Sequence, residues 1–196
     1  RHRRRVHRTT VPDPHAATRP DLVARDFQTD PLAVDTRWCG DITCIDTGEG
    51  WLYLATVIDI ASRRVVGWST SDRPRTDLVA DALKAACRRR RPEGPVVFHS
   101  DRGTQYTSGA FTRLAAALNV RLSVGRTGVC WDNALAESFF ATLKTELVTR
   151  HRWHTHTAAR TAIFDYIEGW YNTRRLHSSL GYQSPADYEH HHPTNT

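Results

Sequence analysis

With 196 residues, a net charge of +6 and ordinary globular proportions of apolar and charged side chains, the chain has enough material for one well-buried domain that needs no covalent staples. No stretch has the length of a membrane span and the N-terminus lacks the apolar core of a signal peptide. The four cysteines, Cys39, Cys44, Cys87 and Cys130, show no CxxC pair and no zinc-ligand rhythm, which argues against a disulfide framework and for a reduced, cytoplasmic chain.

The excess charge is unevenly placed. Five arginines and no acid stand in RHRRRVHRTT, a pattern that suits either a solvated tail or a phosphate-binding segment. The sequence opens on Arg and contains no Met, so a piece of a longer protein is expected. Residues 1–35 are polar, dotted with proline and without sustained periodicity, and read as an extended basic arm. A core is expected over 36–189, with 190–196 a tail.

From Arg37 the texture changes. RWCGDITCI and GWLYLATVID are rich in β-branched and aromatic residues and flank the turn from Asp46 to Gly50, which predicts a hairpin; RRVVGWSTS adds a third strand. Thr76 to Arg91 has helical spacing, with Leu78, Val79, Ala82, Leu83 and Ala86 on one side; its terminal run Arg88 to Arg91 suits the negative end of a helix dipole. A strand from Val96 ends at Asp101, TSGAFTRLAAALN predicts a helix capped by Thr107 or Ser108, and VRLSV a fifth strand. Helices over about 134–148 and 157–171 close the order β-β-β-α-β-α-β-α-α, which describes an α/β fold with a mixed sheet and helices on both faces.

Three carboxylates stand out. Asp41 lies inside an apolar strand, where a carboxylate is costly unless it is hydrogen-bonded, paired or bound to metal. Asp101 ends a neighbouring strand, where ligands gather in such sheets. On the helix after WDN, the apolar face from Leu135 to Leu147 places Glu137 roughly 60° beyond its edge and Lys144 roughly 20° from Glu137. Gathered in one pocket, three acids raise one another's affinity for protons, and Mg²⁺ or Mn²⁺ would resolve the conflict. Two-metal phosphoryl transfer is the chemistry that best uses such a cluster beside a basic groove. No GxxxxGK[ST], GxGxxG or GxSxG pattern is present.

The stretches DIT at 41–43, GWLYLATVIDIASRRVVGW at 50–68, HSDRGTQYTS at 99–108, DNALAESFFATLKTE at 132–146 and YNTRRLHSSLGYQSPADY at 171–188 resemble the DDE transposases of the insertion-sequence-three (OrfB) type. The 35 residues between Asp101 and Glu137 match the spacing of that family and of retroviral integrases. The resemblance implies an RNase H-like five-stranded core with Asp41, Asp101 and Glu137 as catalytic, metal-binding residues for two Mg²⁺ ions. The implied activity is cleavage at transposable-element ends followed by strand transfer from a 3′ hydroxyl, a DNA integration reaction. It also implies double-stranded DNA, both transposon ends and target, as partner, a homo-oligomer on DNA, an upstream helix-turn-helix region or partner protein, and a nucleoid-associated location. DNA contacts are expected at Lys144 and, by extension, at Arg102, Gln105, Arg126 and Asn133.

Other features have plainer explanations. Asp46 and Asp59 suit turn chemistry. HRWHTHT and the run His190 to His192 lack the spacing of a zinc site. Cys130 beside Trp131 suits packing. Trp170, Tyr171 and Tyr182 are expected to pack the last helix onto the core, with stacking on bases as the alternative. A rival to the enzyme is a truncated copy that binds DNA without catalysis.

Overall fold

The computed structural model of the chain describes residues 21–23, 30–124 and 134–192. Five strands form one sheet in the order β3-β2-β1-β4-β5. Strands β1 (Arg37–Thr47), β2 (Gly50–Asp59) and β3 (Val65–Ser71) make the antiparallel meander; β4 (Val96–Ser100) and β5 (Val120–Val124) add in parallel on the other side of β1. The first hairpin closes as its sequence predicts, with the Thr47 hydroxyl donating to the Gly50 carbonyl at 2.7 Å and Gly50 at φ 103, a conformation that glycine adopts without steric cost.

Alternation along β1 assigns its two faces. Trp38 and Ile42 join the core formed with α1 (Thr76–Arg90) and α3 (Gly109–Ala117), while Cys39 and Ile45 join the core formed with α4 (Ala134–Glu146) and α5 (His156–Phe164). Asp41, in step with Cys39 and Ile45, therefore faces the α4 side. The amphipathic pattern of α4 is realised: Leu135, Ala136, Phe139, Phe140 and Leu143 are buried, and Glu137 and Lys144 are exposed. Helix α1 lies so close to β3 that a Cβ on Gly67 would stand 2.4 Å from the Ala82 carbonyl oxygen.

Several elements differ from the sequence-based expectation. A four-residue helix α2 (Thr104–Thr107) precedes α3, whose cap is Ser108; its hydroxyl accepts from the Phe111 N–H at 3.2 Å. The expected helix over 157–171 is α-helical only to Phe164, then widens to π-helical geometry over Asp165–Tyr171. A further helix α6 (Pro185–His191) begins at Ser184, whose hydroxyl accepts from the Asp187 N–H at 3.1 Å. Between them Asn172 extends the edge of β3, accepting from the Val65 N–H and donating to the Val65 carbonyl.

At the end of the sheet where β1 begins, Arg90 donates to both carboxylate oxygens of Asp35 at 2.8 Å and to Glu189 at 2.9 Å; Glu189 is shared with Arg64. Burial pulls the Arg90 guanidinium toward lower values, but these two carboxylates outweigh it and hold it above its ordinary range. Arg89 pairs with Glu168. The arginine run is thus tied, at Arg89 and Arg90, into the protein itself. No helix among the described residues is long and apolar enough to cross a membrane.

Candidate active site

The two aspartates follow the parallel pairing of β1 with β4. Cys39 is paired with His99; Asp41 lies two residues further along β1, and Asp101 is the first residue after β4. Both line one cleft of about 220 Å³ together with Tyr53, Pro74, Gln105 and Tyr106. Gly40, which precedes Asp41, has no room for a side chain: a Cβ there would stand 2.4 Å from Cζ of Phe98. Phe98 in turn packs against Tyr106 and Phe111 at ring separations of 5.9 and 5.8 Å. Phe98 and Phe111 belong to the core on the α1 side of the sheet, and of the three rings Tyr106 is the one that lines the cleft.

The two acids are held differently. Asp101 is exposed and its Oδ1 accepts from the Gly103 N–H at 2.9 Å, which turns the chain into α2. Asp41 is half-buried, and the hydrogen bond its carboxylate accepts is from the adjacent Ile42 N–H at 2.7 Å. Burial pushes the Asp41 carboxyl up to about 7; that N–H opposes the rise, the negative charges of Asp101 and Glu137 add to it, and Lys144 draws it back. The three other groups predicted from the sequence to surround one site thus all act on the charge of Asp41. Burial likewise raises the Tyr106 phenol well above its ordinary value, with Asp41 and Asp101 adding to the effect. Tyr106, the buried floor of the cleft, was not singled out in the sequence. Its only signal there was an aromatic five residues beyond an acid at a strand end.

Glu137 does not line the cleft. Among the described residues no three His, Cys, Asp or Glu side chains are gathered within reach of one ion. The donor set nonetheless fits a hard divalent cation: it is all oxygen, and its most buried member is pushed toward protonation by burial first and then by its neighbours' charge.

Of the residues expected to touch DNA, Lys144 and Arg102 are exposed, and the Gln105 amide donates to the Pro74 carbonyl at 2.9 Å across the rim of the cleft. Arg126 and Asn133, with Cys130 and Trp131, lie outside the described residues. Asp59 holds its turn: its carboxylate accepts from the Ser62 N–H, the Ser62 hydroxyl and the Asp35 N–H. Of the three C-terminal aromatics, Tyr171 is buried as expected, whereas Trp170 and Tyr182 are exposed.

A five-stranded mixed sheet in this order with helices on both faces is the RNase H-like fold of integrase and transposase catalytic cores. The match extends to sequence and structure. Two integrase core domain models match, over residues 31–130 and 118–185. The transposase for insertion sequence element IS904 of Lactococcus lactis subsp. lactis (strain IL1403) is 42% identical over 172 residues, 88% of this chain and 67% of that protein. The transposase InsF for insertion sequence IS3A of Escherichia coli (strain K12) is 42% identical over 169 residues, 86% of this chain and 58% of that protein. The HTLV-2 integrase catalytic core domain, solved in complex with magnesium in a trimeric form, superposes with a TM-score of 0.59 at 15% identity, covering 79% of this chain and 96% of that one. The chain belongs to the integrase core domain family, among the transposases of the insertion-sequence-three type. It spans 58 to 67% of the length of these two relatives.

Proposed function

We propose that this chain is the catalytic core of a DDE transposase that cuts DNA at element ends and joins the freed 3′ hydroxyl to target DNA, with Asp41, Asp101 and Glu137 as its catalytic triad. The observation that carries the reading is the meeting of Asp41 and Asp101 in one cleft, where the charges of Glu137 and Lys144 also act on Asp41. These three side chains would hold two divalent cations, Mg²⁺ with Mn²⁺ able to substitute. Such ions, when bound, sharpen the attacking oxygen and stabilise the leaving one.

The remaining work falls to the protein's own groups. Asp41 is poised to exchange a proton for a cation near neutral pH, because its charge is opposed by burial and by two neighbouring acids. The Gly103 N–H fixes the direction of the Asp101 carboxylate, and the buried Tyr106 ring lines the cleft beside the pair. Arg102 and Gln105 stand at the rim beside Asp101, and Lys144, two turns beyond Glu137 on one stripe of α4, is set to meet a phosphodiester. Arg126 and Asn133 complete the proposed DNA contacts. Paired element ends would call for more than one copy of the chain and for an upstream recognition region or partner, acting at the nucleoid.

The test is strand joining on a labelled duplex with a pre-cut 3′ end, in Mg²⁺ and in EDTA. Joining in Mg²⁺ that disappears in EDTA and in Asp101→Asn is the expected result. Joining that survives Asp101→Asn would end the assignment of the triad.

A further inference from the structure

A second cavity, larger than the carboxylate cleft, opens on the neighbouring stripe of α4. It has a volume of about 570 Å³ and lies between Ser138 and Thr142 of that helix, Arg63 in the turn before β3, and the segment Arg175 to Tyr182. Ser138 is the next residue after Glu137, so the cavity mouth stands roughly 100° around the helix from the proposed triad.

Its lining has one sign of charge. Arg63 and Arg175 both face it, and no carboxylate is among the described residues that line it. Arg175 is oriented from behind: its Nε donates to Glu146 at 3.0 Å, and its guanidinium lies 5.9 Å from the Tyr171 ring centroid. The positive field registers on a third lining group. Burial pushes His177 down to about 4, with Arg175 and then Arg63 adding to the effect and Glu146 opposing it. His177 is accordingly neutral at physiological pH, chiefly through burial, and the positive field that Arg175 and Arg63 add is one an anion would neutralise.

The rim carries apolar surface that the fold does not use. Leu176 is 60% exposed and Tyr182 72% exposed. Tyr182 is held there at φ 60, next to Gly181 at φ 64, by its N–H bond to the His177 carbonyl at 2.9 Å. Arg63 also has a left-handed backbone, at φ 63. Bulky residues avoid this conformation unless their surroundings impose it, and such residues cluster at binding sites.

We propose that this cavity binds one unpaired nucleotide of a DNA strand, its phosphate between Arg63 and Arg175 and its base stacked on Tyr182. The volume suits a group of that size, guanidinium groups recognise phosphate in a bidentate manner, and an exposed ring on a rigid turn offers a platform for any base. The site extends the reading of this chain as a DNA-acting core by adding a contact for a strand that has left the duplex.

The experiment measures fluorescence anisotropy, in EDTA, with three labelled duplexes: blunt, with a short unpaired extension, and with an abasic extension of the same length. The protein is expected to bind the extended duplex about tenfold more tightly than the blunt one, and to lose most of that preference with the abasic probe. Tyr182→Asn, which tolerates the left-handed backbone, and Ser178→Glu, which places an acid at the exposed mouth, are each expected to abolish the preference. Equal binding of blunt and extended duplexes, or an unchanged preference in both variants, would overturn the proposal. So would abasic and normal extensions bound alike and displaced by inorganic phosphate, since that outcome describes an anion pocket with no place for a base. The assay contains no divalent ion and does not depend on the triad. Asp101→Asn is expected to keep the preference, and a wild-type protein that prefers the extension yet joins no DNA would sink the catalytic reading alone.

Discussion

Asp41 and Asp59 sit on paired strands of one sheet, Asp41 opposite Thr56 and Asp59 opposite Trp38, and both are carboxylates drawn in from water. The difference between them lies in what their lone pairs do. Asp59 is fully buried and accepts three hydrogen bonds, from two groups of Ser62 and from the Asp35 N–H; burial still raises it, to about 6. Asp41 is less buried, accepts its hydrogen bond from its own neighbour Ile42, faces two further acids and is raised higher, to about 7. A structural carboxylate is one whose acceptors are used up by the fold. A carboxylate kept for chemistry is left short of partners and in the company of its own kind.

Breaking each side of this contrast should have opposite consequences. Asp41→Asn is expected to lower strand joining by about 10²- to 10³-fold or more, measured at equal folded protein, because it removes charge where charge must be matched. It should also flatten the pH dependence of the metal-free protein's stability. The folded Asp41 carboxyl keeps its proton to about 7 against 3.8 for the ordinary group, so the stability it contributes is full below pH 3.8 and is lost as pH rises through about 7. Urea midpoints at pH 5 and pH 8 should therefore converge in the variant, apart from the change of the same sign that Asp59 retains.

Asp59→Ala should do the reverse, leaving joining per folded molecule unchanged. It should cost about 2–4 kcal/mol of stability by urea denaturation, since buried donors on Ser62 and Asp35 lose their acceptor. Gly40→Ala, driven into the Phe98 ring, is expected to cost about 1–3 kcal/mol and to disturb Asp41 at the same time. Smallest is Lys144→Ala: an exposed residue whose loss should leave the thermal midpoint nearly unchanged while reducing the salt slope of DNA binding by about 1.

Much of this was legible because the two periodicities speak clearly where one face is buried. The meander, α1 and α4 follow from alternation and from the apolar arc, and the meeting of Asp41 with Asp101 follows once β1 and β4 are read as parallel neighbours. The C-terminal stretch was read less well. Ser184-Pro185-Ala186-Asp187 is a capping sequence with proline at the first helical position, and it announces α6, but the helix runs only to His191 and has little apolar pattern to draw the eye. The widening of the last turns over Asp165–Tyr171 has no local signature, because it depends on how Tyr166, Ile167 and Tyr171 seat in the core. Nor does sequence spacing reveal that Arg63 and Arg175 share a cavity, since more than a hundred residues separate them and tertiary folding alone brings them together. Tyr182 was placed in the core on its aromatic character, whereas its left-handed backbone turns it outward.

The Arg90 guanidinium grips Asp35 just before the first strand and Glu189 in the last helix, so the sheet's central strand begins and the last helix ends at the same corner. That corner lies about six residues along β1 from Asp41, roughly 20 Å from the carboxylate cleft. A domain fused after the last helix would therefore extend from behind the working edge and leave the cleft open.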